Sequence, residues 1–207
     1  LSGSQKGLML PPGISFNAIS EKALRASATA TFQRSYWAWA PMLAANADGF
    51  FPYTPATNLL FGLREALDML EEEGLERVFA RHARLARATR AAVRAWRLST
   101  VCSRDDEHSP VLTAVALPDG HDADAFRACA LERLNLSLGA GLGRLKRRVF
   151  RIGHLGDFNE LMLAGTLCGV EMALHWSGVP FTRGGIAAAL DELTATAVAA
   201  GGPVPAA

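Results

Sequence analysis

Residues 1–13 read LSGSQKGLMLPPG, from Leu1 through Lys6 to Gly13. A small, polar run carries one lysine straight into three apolar residues and a Pro-Pro-Gly turn. Proline presets φ and glycine tolerates what other residues cannot, so the chain is expected to reverse at Pro11–Gly13. A lysine on a tight Ser-Gly-Ser loop before a buried strand is held in place and partly desolvated. Both effects favour the neutral amine, the form that attacks a carbonyl to make a Schiff base. By itself Lys6 also fits a plainer description, a solvated lysine near a chain end.

Composition narrows the classes. Half of the 207 residues are hydrophobic, ample for a packed core. The formal net charge of +1 gives no general pull toward nucleic acid or a membrane surface. Cys102, Cys129 and Cys168 are far apart and form no CxxC pair, so neither a disulfide framework nor a cysteine zinc site is expected. Thiols of that kind suit a reducing, cytoplasmic setting. No apolar run reaches membrane-spanning length, and no signal-type segment opens the chain. The histidines show no HExxH or paired ligand spacing, so no metal is expected; no GxSxG is present.

Outward from the first turn, Ile14–Ile19 alternates apolar and polar residues as a strand does, and Ser20 is placed to cap a helix from Glu21. The stretch FFPYTPATN, residues 50–58, is a proline-punctuated loop. Leu59, Leu60, Leu63, Leu67 and Leu70 then mark one face of a helix that Gly74 interrupts. A second helical face follows with Leu75, Val78, Phe79, Leu85, Ala86, Val93 and Trp96. Opposite it, Arg81, Arg84, Arg87, Arg90 and Arg94 form a stripe. Without a set of stacking aromatics that stripe reads as a solvated face, not a nucleic-acid surface.

Beyond Thr100, strands and helices alternate. Strands are expected at Val111–Leu117, Leu136–Leu138 and Val149–Ile152. Helices are expected from Ala123 to Leu134 behind Asp122, from Asn159 to Trp176, and from Thr182 to about Ala199, with a disordered tail from about residue 200. An α/β class follows. Residues 1–74 carry the lysine loop and the first long helix; residues 75–207 make a smaller α/β domain. The first part has too few elements to close a core of its own.

Arg151, in VFRIGHLGDF, sits in a strand-like run. Its guanidinium is expected to point from a strand end toward a cleft, where a planar fork suits bidentate binding of a carboxylate; an edge-strand arginine without such a role is the alternative. His154 follows it and receives no role. Arg144, Lys146, Arg147 and Arg148 read as solvated. GAGLG, residues 139–143, lacks both GxGxxG spacing and a closing lysine-serine pair, so it reads as a turn between strands.

SGSQKGLMLPPG, FPYTPATNLLFGLREAL and VFRIGHLGDFNE, in that order, resemble the class V aminotransferases, pyridoxal-phosphate enzymes of fold type I, and within them the serine–glyoxylate and alanine–glyoxylate branch. The resemblance implies the back half of such an enzyme, beginning just before the cofactor lysine: a remnant of the large domain, connecting helices and a small C-terminal α/β domain. It implies that Lys6 carries pyridoxal 5'-phosphate as a Schiff base and shuttles the substrate α-proton, and that Gln5 helps hold the cofactor phosphate. Thr54 corresponds to a phosphate-contacting threonine supplied across a homodimer. Phe51 stands where the family has a tyrosine and cannot donate a hydrogen bond; Tyr53 is nearby. Arg151 corresponds to the arginine that grips the substrate carboxylate. The implied reaction moves an amino group from serine or alanine to glyoxylate or a similar 2-oxo acid. The chain alone is expected to be inactive, because the aspartate that pairs with the pyridine nitrogen in this family has no counterpart here. An aminophosphonate-type class V enzyme and a non-catalytic dimerisation module are the alternative readings.

Overall fold

Ser4 is buried at the base of the first turn, and its hydrogen bonds shape that turn. Its N–H donates to Ile14 O at 3.0 Å, and its carbonyl accepts from Leu10 N at 3.1 Å. Its hydroxyl donates to Pro11 O at 2.7 Å and accepts from Ile14 N at 3.3 Å. The expected buried strand before the Pro-Pro-Gly turn is therefore absent: Leu8–Leu10 are half-buried and irregular, because Ser4 takes the backbone groups a ladder would use. The strands here are β1 (Ser2–Gly3) and β2 (Ser15–Phe16), paired antiparallel, so the Ile14–Ile19 expectation shrinks to two residues.

These features belong to a computed structural model that describes residues 1–199. It divides into one unit over Leu1–Glu72 and a second from Glu73 onward. In the first unit, α1 (Glu21–Thr29) starts at Ser20, whose hydroxyl accepts from Ala23 N at 3.3 Å. Then come α2 (Trp39–Ala47) and α3 (Thr57–Glu73). Leu10 lies against α3 at Gly62, where a Cβ would come within 2.6 Å of its Cδ2. Only Ser4 and Ala66 are buried in this unit, while Phe32, Trp37, Phe50 and Phe61 stand more than 70% exposed.

The second unit opens with α4 (Leu75–Ala95) and then forms β3 (Ser99–Thr100), β4 (Leu112–Ala116), α5 (Ala123–Leu134), β5 (Gly139–Ala140), β6 (Val149–Gly153), α6 (Glu160–Trp176) and α7 (Gly185–Ala199). Strands and helices alternate as expected, and the sheet is antiparallel, in the order β3-β4-β6-β5. Strand alternation gives the sheet two unlike faces. Val115, Phe150 and Ile152 join one core with Leu85 and Val93 of α4, Trp96 just after it, Phe126 of α5, Leu163 and Leu167 of α6 and Ala189 of α7. Phe126 and Phe150 meet at a centroid distance of 4.6 Å.

Three local expectations change. Leu136–Leu138 precede the strand rather than forming it, since β5 is Gly139–Ala140. Thr182 does not cap α7, which begins three residues later. The capping oxygens come from Glu171 of α6, which accepts from Gly185 N at 3.2 Å and Gly184 N at 3.5 Å. Leu75 and Phe79 are exposed, while His82 and Thr89 are buried on α4 in their stead. The expected tail from residue 200 lies outside the described residues.

Glu171 is the node of this packing. It also accepts from Nε1 of the fully buried Trp96 at 2.8 Å. Gly185 has no side chain because the Trp96 indole fills that space. Gly185→Ala should destabilise the chain by about 1–3 kcal/mol through overpacking. A urea midpoint lowered at unchanged m-value would register it.

Candidate functional site

Lys6 and Gln5 lie side by side on the first turn, both exposed. Met9 N closes the turn onto Lys6 O at 2.9 Å, with Met9 in the left-handed region at φ 59°. Rigid hydrogen bonding thus holds the Lys6 backbone. The desolvation expected for Lys6 is not found within the first unit, where its side chain is exposed. Phe51 and Thr54 share the loop before α3 and are also exposed. Tyr53 packs on Tyr36 with centroids 5.0 Å apart. Lys6, Gln5, Thr54 and Phe51 belong to the first unit, and Arg151 belongs to the second.

Arg151 sits in the middle of β6, not at a strand end. It pairs with Ala114 on β4 and Gly139 on β5. Phe150 and Ile152 enter the core, so Arg151 takes the opposite face of the sheet. Its Nε is buried without a hydrogen-bond partner. Among the described residues its guanidinium enters no ion pair. A buried, charge-bearing donor left unmatched is costly, and a ligand carboxylate would relieve that cost.

The segment after β6 is tied down by α4 and β4. His82 Nδ1 lies 2.7 Å from Val78 O, and its Nε2 accepts from Gly156 N at 3.1 Å. Those partners require the tautomer with hydrogen on Nδ1. Arg81 forks onto Glu73 at 2.7 and 2.6 Å and gives Nη1 to Gly156 O at 2.8 Å and Phe158 O at 3.0 Å. Arg84 pairs with Glu160, and Arg87 with Glu192 at 2.8 Å. The arginine stripe is therefore not simply solvated. Three of its five members tie α4 to later elements, which their spacing alone could not show. The hydrogen-bonded fork on Arg81 holds the Glu73 carboxyl below its usual range, against the opposing effect of burial.

His154 does not line a cleft. It is fully buried, with Nε2 2.9 Å from Thr113 Oγ1 and its backbone N donating to Val111 O at 3.1 Å. Burial pushes its imidazole down to about 4, against the smaller effect of the Pro110 carbonyl. GAGLG is not a phosphate loop. Its first two residues form β5 and Gly143 opens a single 3-10 turn, so no helix N-terminus follows. Of the basic run after it, Arg147 pairs with Asp122 at 2.6 Å, while Arg144, Lys146 and Arg148 are exposed.

With this geometry in place, the relatives are informative. Serine–glyoxylate aminotransferase of Methylorubrum extorquens is 48% identical over 93% of this chain and 50% of its own length. L-aspartate–glyoxylate aminotransferase of Paracoccus denitrificans is 39% identical over 97% of the chain and 51% of its own length. The crystal structure of pyridoxamine–pyruvate aminotransferase from Mesorhizobium loti superposes with a TM-score of 0.84 at 34% identity, over 92% of this chain and 50% of that one. No family model matches. The superposition and the identities make this chain a piece of an aminotransferase fold. The chain belongs to the class V aminotransferases of fold type I, and it spans about half the length of the curated relatives it matches. Among the described residues no helix is long and apolar enough to cross a membrane, and no cluster of metal-ligating side chains is present.

Because the folded chain keeps His154 neutral, the unfolded chain binds the extra proton first as pH falls from 6.5 toward 4. His154 therefore contributes its full stabilisation above about pH 6.5 and loses about 3 kcal/mol of it by pH 4. Unfolding free energy measured across that window should fall more steeply in the native chain than in His154→Gln.

Proposed function

We propose that this chain serves, within a polypeptide of its relatives' full length, in pyridoxal-phosphate-dependent transamination between a small amino acid and glyoxylate or a similar 2-oxo acid. The observation that carries the reading is Arg151: a guanidinium on the face of the sheet opposite the helix-packed core, with no ion pair among the described residues and a buried, partnerless Nε. Its planar fork would bind the carboxylate common to amino and oxo acids, so one residue would serve both half-reactions. The relatives' names support the acceptor more than the donor. Two are named for glyoxylate but differ in donor, serine in one and aspartate in the other.

The donor set of the first unit fits the cofactor: a primary amine on a rigid turn, with an amide beside it and a hydroxyl on the Pro-bounded loop. Lys6 would anchor the cofactor covalently through Nζ, and Gln5 and Thr54 would bind its phosphate. Phe51 has no hydroxyl and would contribute only apolar contact. Bound pyridoxal phosphate supplies an electron-withdrawing ring that accepts the electron pair left when the α-proton departs. Released Lys6 Nζ would take that proton from the substrate and return it on the far side of the reaction. Arg151 would hold the carboxylate while the proton moves, restricting the substrate to one orientation. A homodimer is part of the proposal, and the exposed aromatic residues of the first unit support it. The three cysteines form no disulfide, which fits a reducing compartment such as the cytoplasm.

In the complete polypeptide, borohydride reduction should fix the cofactor to the native protein and not to Lys6→Ala. Arg151→Lys should raise the donor KM by on the order of 10-fold or more, because a point charge replaces a bidentate fork. Unchanged trapping in Lys6→Ala would refute the reading.

A further inference from the structure

Gly139 lies directly opposite Arg151 in the β5–β6 pairing. A Cβ at this position would stand 3.0 Å from Arg151 Cβ, 3.1 Å from its Nε and 3.5 Å from its Cζ. The Arg151 side chain therefore lies down across the glycine. The backbone does not ask for glycine here, since Gly139 is not among the residues with positive φ. The other glycines of GAGLG have different reasons. A Cβ on Gly141 would overlap the Leu145 carbonyl, and Gly143 has a φ of 53°. On the β4 side Arg151 faces Ala114. The arginine is thus flanked by the two smallest residues, and the smaller one lies on the side toward which it leans.

We propose that Gly139 is a positioning residue for carboxylate binding: its missing side chain is the seat that lays Arg151 over β5 and fixes where the two Nη groups meet a carboxylate. This rests on the reading of Arg151 given above. Side chains on a sheet ordinarily stand away from it. A methyl group at 139 would return Arg151 toward that upright arrangement: rotation of the side chain clears Nε and Cζ, and a backbone shift of a few tenths of an ångström clears Cβ, which rotation does not move. Gly141 N, which donates to Val149 O at 2.9 Å, keeps β5 against β6.

The test uses the complete, cofactor-loaded protein as the native form, Gly139→Ala, Arg151→Lys and the double variant. Lactate, an unreactive α-hydroxy acid, reports carboxylate binding by calorimetry. Serine and ethanolamine, an amine without the carboxylate, report the reaction. Gly139→Ala should raise the lactate Kd and the serine KM by about tenfold, with kcat, the ethanolamine kcat/KM and the melting temperature nearly unchanged. In the Arg151→Lys background the same change should cost less than about twofold, since coupled residues are not additive. Equal losses in both backgrounds would overturn the inference. So would losses that extend to ethanolamine and follow a lowered melting temperature, because Gly139 would then serve packing alone. If Arg151→Lys weakens lactate and Gly139→Ala does not, the positioning role fails and the carboxylate reading stands. If Arg151→Lys leaves lactate binding unchanged, the carboxylate reading fails and takes this inference with it.

Discussion

Phe150 and Ile152 point into the helices, and a strand that buries them must turn Arg151 the other way. This alternation along β6 ties the core of the second unit to its candidate site. The helices α4 to α7 cover one face of the sheet, where Val115 of β4 completes the apolar layer. On the opposite face Arg151, Ala114 and Gly139 share one row across three strands. A one-residue slip of β6 would bury a guanidinium and expose two large apolar side chains, so the register is strongly specified. The pairing that stabilises the core therefore also delivers a cation, unpaired among the described residues, to the opposite face of the sheet.

The segment that leaves β6 is fixed by polar contacts from far away in the chain. His82 receives Gly156 N, and Arg81 holds the carbonyls of Gly156 and Phe158 while gripping Glu73. His154 goes inward onto Thr113. His82, Arg81 and the Nε2 of His154 are buried or half-buried groups with partners, so removing one would leave another unsatisfied. Glu171 does the same for α7, where one carboxylate takes the Trp96 indole and two backbone N–H groups of the helix start. Such cross-element ties make the second unit a single cooperative body. The first unit relies instead on local bonds around Ser4 and buries little apolar surface.

Much was legible in sequence because it depends on neighbours within a few residues. Ser20, Asp122 and Asn159 cap their helices, since a capping oxygen reaches N–H groups two or three positions on. Apolar periodicity located α3 and α4, and the Ser-Gly-Ser run placed Lys6 on a tight loop. The order of the three motifs pointed to the family. What alternation could not supply was the identity of strand neighbours. GAGLG reads as a turn because nothing in it names Arg151 as the residue opposite, and the apolar run Leu136–Leu138 lies just before the strand rather than in it. Similarly, five arginines at helical spacing look solvated until the carboxylates of Glu73, Glu160 and Glu192 arrive from elsewhere.

The sequence by itself therefore determined most of the helices, the lysine turn and the kinship, because caps, periodicity and motif order are read along the chain. Only the tertiary structure decided which face Arg151 occupies, that Gly139 is its seat, that His154 is buried and neutral, and that Glu171 caps a helix fourteen residues away. Those are statements about groups that meet across strands and between helices. Burial and partnership, which set their charge and freedom, exist only once the chain has folded.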